Sequence, residues 1–365
     1  MAPQSVLSVR CAMLLACLAM WPGQARAGGF WRSLKNWVDS ADIKGCDTTF
    51  LHLPKEGFIG YGNIYLTGTD AFLSHELDQM QPETIKASGL LRARASIMLT
   101  AGISYRGWGL SYSKDLSRHD DSEWSFCSYG QGYGLELRLH RAHTLHGAID
   151  IEGTDVLGPE LAIAKGDLRQ RTVLGNFIYV FARKRFSLPA AMSHTIIQKR
   201  SSGSWLALAN YRHSSLAIAN ERMSFLIGEG LLNDGITGDV RFRKLSQSQL
   251  SLGGGYAYNH ILHGGRLLLH LSAIPMVSVW HRNRGYYEVR IWDGQQHLIG
   301  DQRYTASFGQ KLTFNGTLHG SLVYNFRRYV TGVMAMANID SFPEEDDFSL
   351  YTFDWSTRFF FGVRF

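Results

Sequence analysis

The constraint that governs this chain is a period-two alternation that runs to its last residue. In YTFDWSTRFFFGVRF, Tyr351, Phe353, Trp355, Phe359, Phe361, Val363 and Phe365 share one side, and Thr352, Asp354, Ser356, Arg358, Gly362 and Arg364 share the other. Successive strand side chains point to opposite faces, so the segment is a strand with one face of rings and one of hydroxyls and charges. A sandwich strand would carry more Val, Ile and Leu on its apolar side. Other segments repeat the pattern. Ile97, Leu99 and Ile103 oppose Ser96, Met98, Thr100 and Ser104; Leu135, Leu137 and Leu139 oppose Glu136, Arg138 and His140. Leu250, Leu252, Tyr256 and Tyr258 oppose Ser251 and Asn259, Leu269 and Leu271 oppose His270, and Leu318, Leu322 and Tyr324 oppose His319 and Ser321.

Buried charge is costly unless paired, so a dry two-sheet core would not carry such a second face. A closed barrel with hydrocarbon outside and water inside accommodates both faces. Composition agrees: 38 Gly, 20 Phe, 16 Tyr and 9 Trp in a chain 45% hydrophobic suit strands between aromatic girdles. The expected fold is all-β, a closed antiparallel transmembrane β-barrel of about twelve strands, within a range of ten to fourteen. Those strands are read at 57–66, 91–105, 108–117, 126–139, 145–152, 171–183, 203–217, 248–260, 266–279, 311–326, 329–340 and 350–365. Short joins (RG, HRAHT, an LHGG turn, an RR turn) alternate with long ones that include SRHDDSEWS, residues 218–247 and SFPEEDDF. That alternation places both barrel ends in the periplasm. The join after the sixth strand, RKRFSLPAAMSHTIIQKRSSG, breaks the rule. It either enters the lumen, lies under the barrel, or hides two more strands, and a long connection in a compact domain is more often functional than idle.

Residues 1–27 read as a signal peptide: Arg10, the apolar CAMLLACLAMW and an Ala25-Arg26-Ala27 cleavage site. A lipoprotein signal acylated on Cys17 is the weaker alternative. No later run is long and apolar enough for a spanning helix. In the periplasmic segment 28–56, Phe30, Leu34, Trp37 and Val38 have helical spacing and suit a short amphipathic helix at the inner interface or a plug, with a flexible N-terminus as the alternative. The formal net charge of +6 is too mild and dispersed for nucleic acid. Cys46 and Cys127 survive signal removal, but Cys127 is placed at the outer end of a descending strand, a bilayer away from Cys46. No bond between them is expected unless the N-terminus threads the lumen.

The segments at 103–117, 179–211, 250–262 and 322–336 together resemble the domain-of-unknown-function 4421 family of predicted Gram-negative outer-membrane proteins. The resemblance runs from about residue 57 to the end. Its most specific block, F-S-x-x-A-A followed by Q-K-x-S-x-G-S, is matched by Phe186, Ser187, Ala190, Ala191, Gln198, Lys199, Ser201, Gly203 and Ser204; Leu188 and Pro189 stand where an aromatic is common. The family implies a barrel and assigns no reaction. Phe186, Ser187, Gln198, Lys199, Ser201, Gly203 and Ser204 form the candidate functional segment.

By strand parity Arg92, Arg94, Glu136, Arg138, His140, Asp150, Arg212, His270, His319, Asp354 and Arg358 are candidate lumen-lining residues. If open, such a passage leans towards anions; otherwise the charges pair across strands and fill the lumen. His140, His143 and His146 lie three apart at a turn and are not read as a metal site. Ser193-His194 cannot form a dyad in a strand, because neighbours point oppositely. GEGLLNDG (228–235) reads as a turn-rich outer loop and PEEDD (343–347) as a solvated loop tip. The expectation is an outer-membrane pore or uptake channel for a small polar solute, or a structural barrel, with no catalytic residue, metal or cofactor. Its partners are outer-membrane lipids and the barrel assembly machinery, which would engage the strand ending in Phe365. A lipid hydrolase and a periplasmic ligand-binding β-sandwich are the alternatives.

Overall fold

The computed structural model describes residues 46–77, 85–117, 121–142, 145–152, 160–163, 167–218, 226–232, 236–292, 298–308, 313–345 and 348–365. The proposed signal peptide and the 30–38 helix lie outside them. Twelve antiparallel strands close on themselves: β1 Phe58–Leu77, β2 Ile85–Tyr105, β3 Trp108–Asp115, β4 Ser122–Tyr129, β5 Tyr133–Ala142, β6 Leu168–Val180, β7 Ser202–Ile218, β8 Ile236–Leu262, β9 Leu267–Trp292, β10 Phe314–Phe326, β11 Tyr329–Glu345 and β12 Phe348–Arg364. The seam is a full ladder of β12 on β1, from Phe348 opposite His75 to Arg364 opposite Ile59, and Phe58 and Phe365 exchange backbone hydrogen bonds at its foot. Closure leaves no edge on the wall, the condition a sheet must meet in hydrocarbon.

The two faces fall as the alternation demands. Phe314 is 75% exposed and Trp205 66%, with Phe359, Phe361, Leu99, Ile103 and Leu318 also open to the outside. Ser96, Met98, Thr100, Gln249, Ser251, Asn259 and His270 are buried inside. No second sheet covers the apolar wall among the described residues, so the sandwich alternative is overturned.

Twelve strands is the expected number, but two of the expected strands are placed differently. Residues 126–139 are not one strand. Gly130 to Gly132 form a tight turn between β4 and β5, with Gly130 N–H bonded to Tyr133 O. HRAHT is therefore not a periplasmic turn. Residues Leu145–Glu152 pair with the outer half of β2 and with Glu160–Ile163, off the closed path. Splitting one expected strand and removing another leaves the count unchanged. The long outer joins are largely strand too. β8 and β9 run 27 and 26 residues, and Leu226–Leu232 and Leu298–Phe308 extend them. Thus GEGLLNDG is mostly hairpin rather than loop, and Pro343 to Glu345 of PEEDD continue β11.

One β-bulge changes a face. Thr67 pairs with Ser96, but Thr69 pairs with Ala93, so β2 carries an extra residue there. An inserted residue inverts parity beyond it. Arg92 consequently stands on the outer face opposite Asp70, 3.5 Å from its carboxylate, and does not line the lumen. Arg94 falls inside the bulge and its side chain lies outside the described ones. Asp150, on the off-path strand, leaves the barrel wall altogether.

The short turns gather at one end of the barrel, the end that faces the periplasm in outer-membrane barrels generally. The RG turn between β2 and β3 has positive φ at both residues, 47° at Arg106 and 90° at Gly107, the backbone that two-residue hairpins prefer. A Cβ on Gly107 would also collide with the Tyr129 carbonyl oxygen. Gly107→Val is therefore expected to lower unfolding stability by about 1–3 kcal/mol, read from the temperature at which the folded, fast-migrating gel band is lost.

Candidate functional site: a lumen closed by its own chain

The anomalous join enters the lumen. After β6 the chain turns over residues 181–185 and forms a one-turn helix, α1, Leu188–Met192. Ser187 caps it, its hydroxyl accepting from Ala190 N–H at 3.3 Å, and Pro189 sits in the first turn, where its missing N–H costs nothing. Helix exit runs through His194 in a left-handed conformation, φ 59°, with its N–H bonded to Pro189 O at 2.7 Å. The departure at Leu188 and Pro189 from the family pattern thus serves the helix start.

Phe186, Leu188, Ala190 and Ala191 are buried against the inner wall. Phe186 and Leu188 meet Ile178 and Val180 of β6, Leu206 and Leu208 of β7 and Met276 of β9. Ala190 and Ala191 meet Ile59 of β1, Leu268 of β9, Val323 of β10, Val330 of β11 and Phe360 of β12. Here the inner face turns apolar, because it touches protein instead of water. Fully burying a Phe or Leu side chain stabilises by about 1.5–3 kcal/mol.

Polar wall groups tie the plug's backbone. Asn259 donates to Ser187 O at 2.9 Å and to Gln198 Oε1 at 2.7 Å, while Gln198 Oε1 also accepts from Ser187 N–H at 3.0 Å. His270 Nδ1 lies 2.7 Å from Asn259 Oδ1. Gln131 donates to Phe186 O at 3.2 Å, and Arg364 to His194 O at 2.9 Å and Asn325 Oδ1 at 2.6 Å. The His194 ring stacks on Phe360 at 4.2 Å.

A second layer lies below. Leu51–His52 pair with Ile197–Gln198, Lys199 N–H bonds Phe50 O at 2.7 Å, and Asp47 N–H bonds Lys184 O at 2.9 Å. Arg185 and Arg200 lie over the Phe50 ring at 5.2 and 5.7 Å. Hydrogen bonds from Thr49 hold the Asp47 carboxyl below its ordinary pKa. Residues 47–56, expected as a periplasmic segment, thus strap the plug.

Above the plug, Glu136 bonds the Tyr129 hydroxyl and takes Asn176 Nδ2 at 3.1 Å. Arg138 lies 3.4 Å from Glu136 and reaches the Met336 sulfur at 3.8 Å across the barrel. Arg358 of β12 reaches Glu123 of β4 at 3.8 Å, and His140 approaches Glu123 at 3.5 Å. Arg138 and Arg358 form a collar that separates a cavity of about 90 Å³ against the plug from one of about 110 Å³ above it. In the upper cavity Arg212 of β7 crosses the lumen to Asp340 and, at 2.6 Å, to Asp354. The contacts of Arg212 with Asp340 and Asp354, of Arg358 with Glu123 and of Arg138 with Met336 join strands that are not neighbours in the wall, so they fill the lumen and do not merely line it.

Of the expected lumen residues, Glu136, Arg138, His140, Arg212, His270, His319, Asp354 and Arg358 face inward. In the candidate segment, Phe186, Ser187 and Gln198 build the plug. Ser204 accepts from Ala182 N–H at 2.9 Å, and Ser201 from Ile261 N–H at 2.9 Å. Gly203 has no room for a Cβ beside Tyr256, and the Lys199 side chain points to solvent. Asn259, Gln131, Glu123 and Asp340 were missed as partners. Each carries the inward parity of its strand or turn, but nothing local marks what it meets across the lumen.

Among the described residues two Ser–His contacts lie on the wall, Ser201 Oγ to His260 Nδ1 at 3.4 Å and Ser248 Oγ to His213 Nδ1 at 2.8 Å. Among the described residues no carboxylate or amide orients either ring, as a catalytic Ser–His pair requires. Ser193 and His194 diverge: the Ser193 hydroxyl bonds Thr195, and His194 stacks on Phe360. Cys127 lines the lower cavity near the periplasmic end of β4, so the expected bilayer-wide separation from Cys46 is incorrect. Cys46 and Cys127 nevertheless form no disulfide.

The fold and its lumen define an outer-membrane-type β-barrel with an internal plug. Residues 47–365 match the family model described as Domain of unknown function (DUF4421), and the chain belongs to that family. No curated protein matches it. Among solved structures it is similar to the outer membrane protease OmpT from Escherichia coli: TM-score 0.38, 9% identity, 87% of this chain and 100% of that one. It is also similar to the beta domain of the Bordetella autotransporter BrkA (TM-score 0.32, 12% identity, 83% and 99% covered). A third similarity is to the Pseudomonas putida toluene transporter TodX (TM-score 0.22, 7% identity, 86% and 91% covered).

Phe186→Ala is expected to cost about 3–5 kcal/mol, and Arg212→Ala a similar amount, about 3–5 kcal/mol, because it strands two carboxylates. Denaturant unfolding in detergent, followed by tryptophan fluorescence, checks both. Burial and the neighbouring Arg364 push His194 down to about 3, so the docked ring is neutral. The unfolded or undocked ring takes a proton near its ordinary value of about 6.5. The contribution of His194 is therefore whole above that value and is lost as pH falls towards 3. Pepsin, which works in acid, is expected to cut the folded wild-type barrel within residues 186–196 increasingly as pH falls, and the increase is expected to be absent from His194→Gln.

Proposed function

We propose that this protein is a sealed structural barrel of the outer membrane, working through its wall and outer rim rather than as a diffusion pore. The observation that carries this reading is the apolar packing of Phe186, Leu188, Ala190 and Ala191 across the lumen floor. The transluminal bonds of Arg212, Arg358 and Arg138 support it one layer higher. A porin keeps a water-filled channel, whereas here the cavities of about 90 and 110 Å³ are parted by Arg138 and Arg358, which line both. The uptake-channel reading needs both layers to move, and a plug with an apolar core and a capped helix is held like a piece of the fold.

The C-terminal strand fits recognition by the barrel assembly machinery. Phe365 is exposed and stacks on Phe58 at 5.9 Å, at the foot of the closing seam. Conductance in planar bilayers tests the sealed state. Wild-type barrel is expected to show no steady ion current, and replacement of residues 186–196 by a short Gly-Ser linker together with Arg212→Ser to introduce one. A steady wild-type current that the linker leaves unchanged contradicts the reading.

A further inference from the structure

The outward face of β5 to β9 carries a belt of cations just beyond the lipid-facing rings. In one cross-strand row Arg141 stands opposite Arg171, Arg171 opposite Ser215, Ser215 opposite Ser246, and Ser246 opposite Arg284. One row nearer the membrane, His213 stands opposite Ser248 and Ser248 opposite Arg282; one row farther out, Arg169, Ala217, Lys244 and Tyr286 follow in register. The row below the belt holds Tyr211 and Trp280, both exposed. Alternation places all of these outward, because Arg212, Gln247, Gln249, His281 and Asn283 between them are buried inside.

Like charges directly opposite each other on neighbouring strands repel, and Arg141 and Arg171 are such a pair. No carboxylate among the described residues pairs with Arg141, Arg169, Arg171, Arg282, Arg284 or Lys244. Glu288, an acid farther along the same face, is taken by Arg243. Lys244 lies over the Tyr286 ring at 5.4 Å, and the Nε of Arg284 is buried without a hydrogen-bond partner. The middle of the patch is hydroxyl-bearing, with Ser215, Ser246 and the Ser248–His213 contact at 2.8 Å. Elsewhere on the wall an outward arginine has its own acid, as Arg92 has Asp70 at 3.5 Å.

The geometry points to a binding surface for the phosphorylated sugar headgroup of an outer-leaflet glycolipid. Arginine forks match phosphate oxygens bidentately, serines and histidine offer hydrogen bonds to sugar hydroxyls, and the rings one row below stand where acyl chains begin. The position selects a membrane lipid over a soluble polyanion: the belt lies on the hydrocarbon-facing side, immediately above the aromatic row and at the end opposite the short turns. The surrounding outer leaflet therefore presents the phosphates at the height of the arginines.

Detergent-solubilised full-length barrel, held on a column through an affinity tag, is to be mixed with bisphosphorylated lipid A, with the same lipid stripped of phosphate, and with phosphatidylglycerol. Retention of the first is expected to exceed retention of either other lipid at least tenfold. Arg171→Gln/Arg282→Gln/Arg284→Gln is expected to remove that excess while the barrel keeps its heat-modifiable gel shift, and Arg92→Gln to leave it unchanged. Equal retention of the dephosphorylated lipid or of phosphatidylglycerol overturns the inference, as does full binding by the folded triple variant. Should the triple variant not fold, the lipid comparison on wild type decides alone.

Discussion

Everything in this molecule depends on a backbone that satisfies its own hydrogen bonds inside hydrocarbon. A strand can do so only if both neighbours are present, so the sheet must close, and the seam of β12 on β1 completes the wall. Closure then creates a second demand. The alternation that puts Phe, Leu and Tyr towards lipid puts Arg, Glu, His and Asn into a confined interior, where each must find a partner or water. The lumen is organised by that demand.

It is met in two different ways at two heights. Near the short turns, the inner face is apolar and is covered by α1 and its flanks, with backbone groups bonded to Asn259, Gln131 and Arg364. Higher up, charges reach across the barrel to charges of opposite sign. A buried ion pair is weak evidence for net stability, since desolvation offsets attraction, but breaking one is costly. The upper layer therefore makes the cross-section specific, whereas the lower layer supplies hydrophobic stabilisation. Strapping of the plug by residues 47–56 adds a third contact layer on the periplasmic side. The outward wall obeys a different rule, because nothing there needs a dry partner, and the belt cations of β5 to β9 that lack a carboxylate among the described residues stand where lipid headgroups begin.

Alternation within a strand puts Glu136, Arg138, His140, Arg212, His270, His319, Asp354 and Arg358 on the face that the structure turns inward, and the departures from it have physical causes. Arg92 and Arg94 were misplaced or lost by one extra residue in β2, which inverts faces without leaving a mark in the pattern. Asp150 was misplaced because a strand that pairs beyond the barrel alternates like one within it. The turn at Gly130 to Gly132 was overlooked because the alternating residues on its two sides merge into one plausible strand.

By itself the sequence determined the class: one face for lipid, one for the interior, an even set of antiparallel strands and one connection too long to be a turn. Period-two side-chain placement is a local property of each strand, which is why it could be read there. What fills the interior was decided only by the tertiary structure. Phe186 clustering with Ile274 and Met276, and Arg212 meeting Asp340 and Asp354, join residues far apart in sequence whose contact exists only once the wall has closed around them.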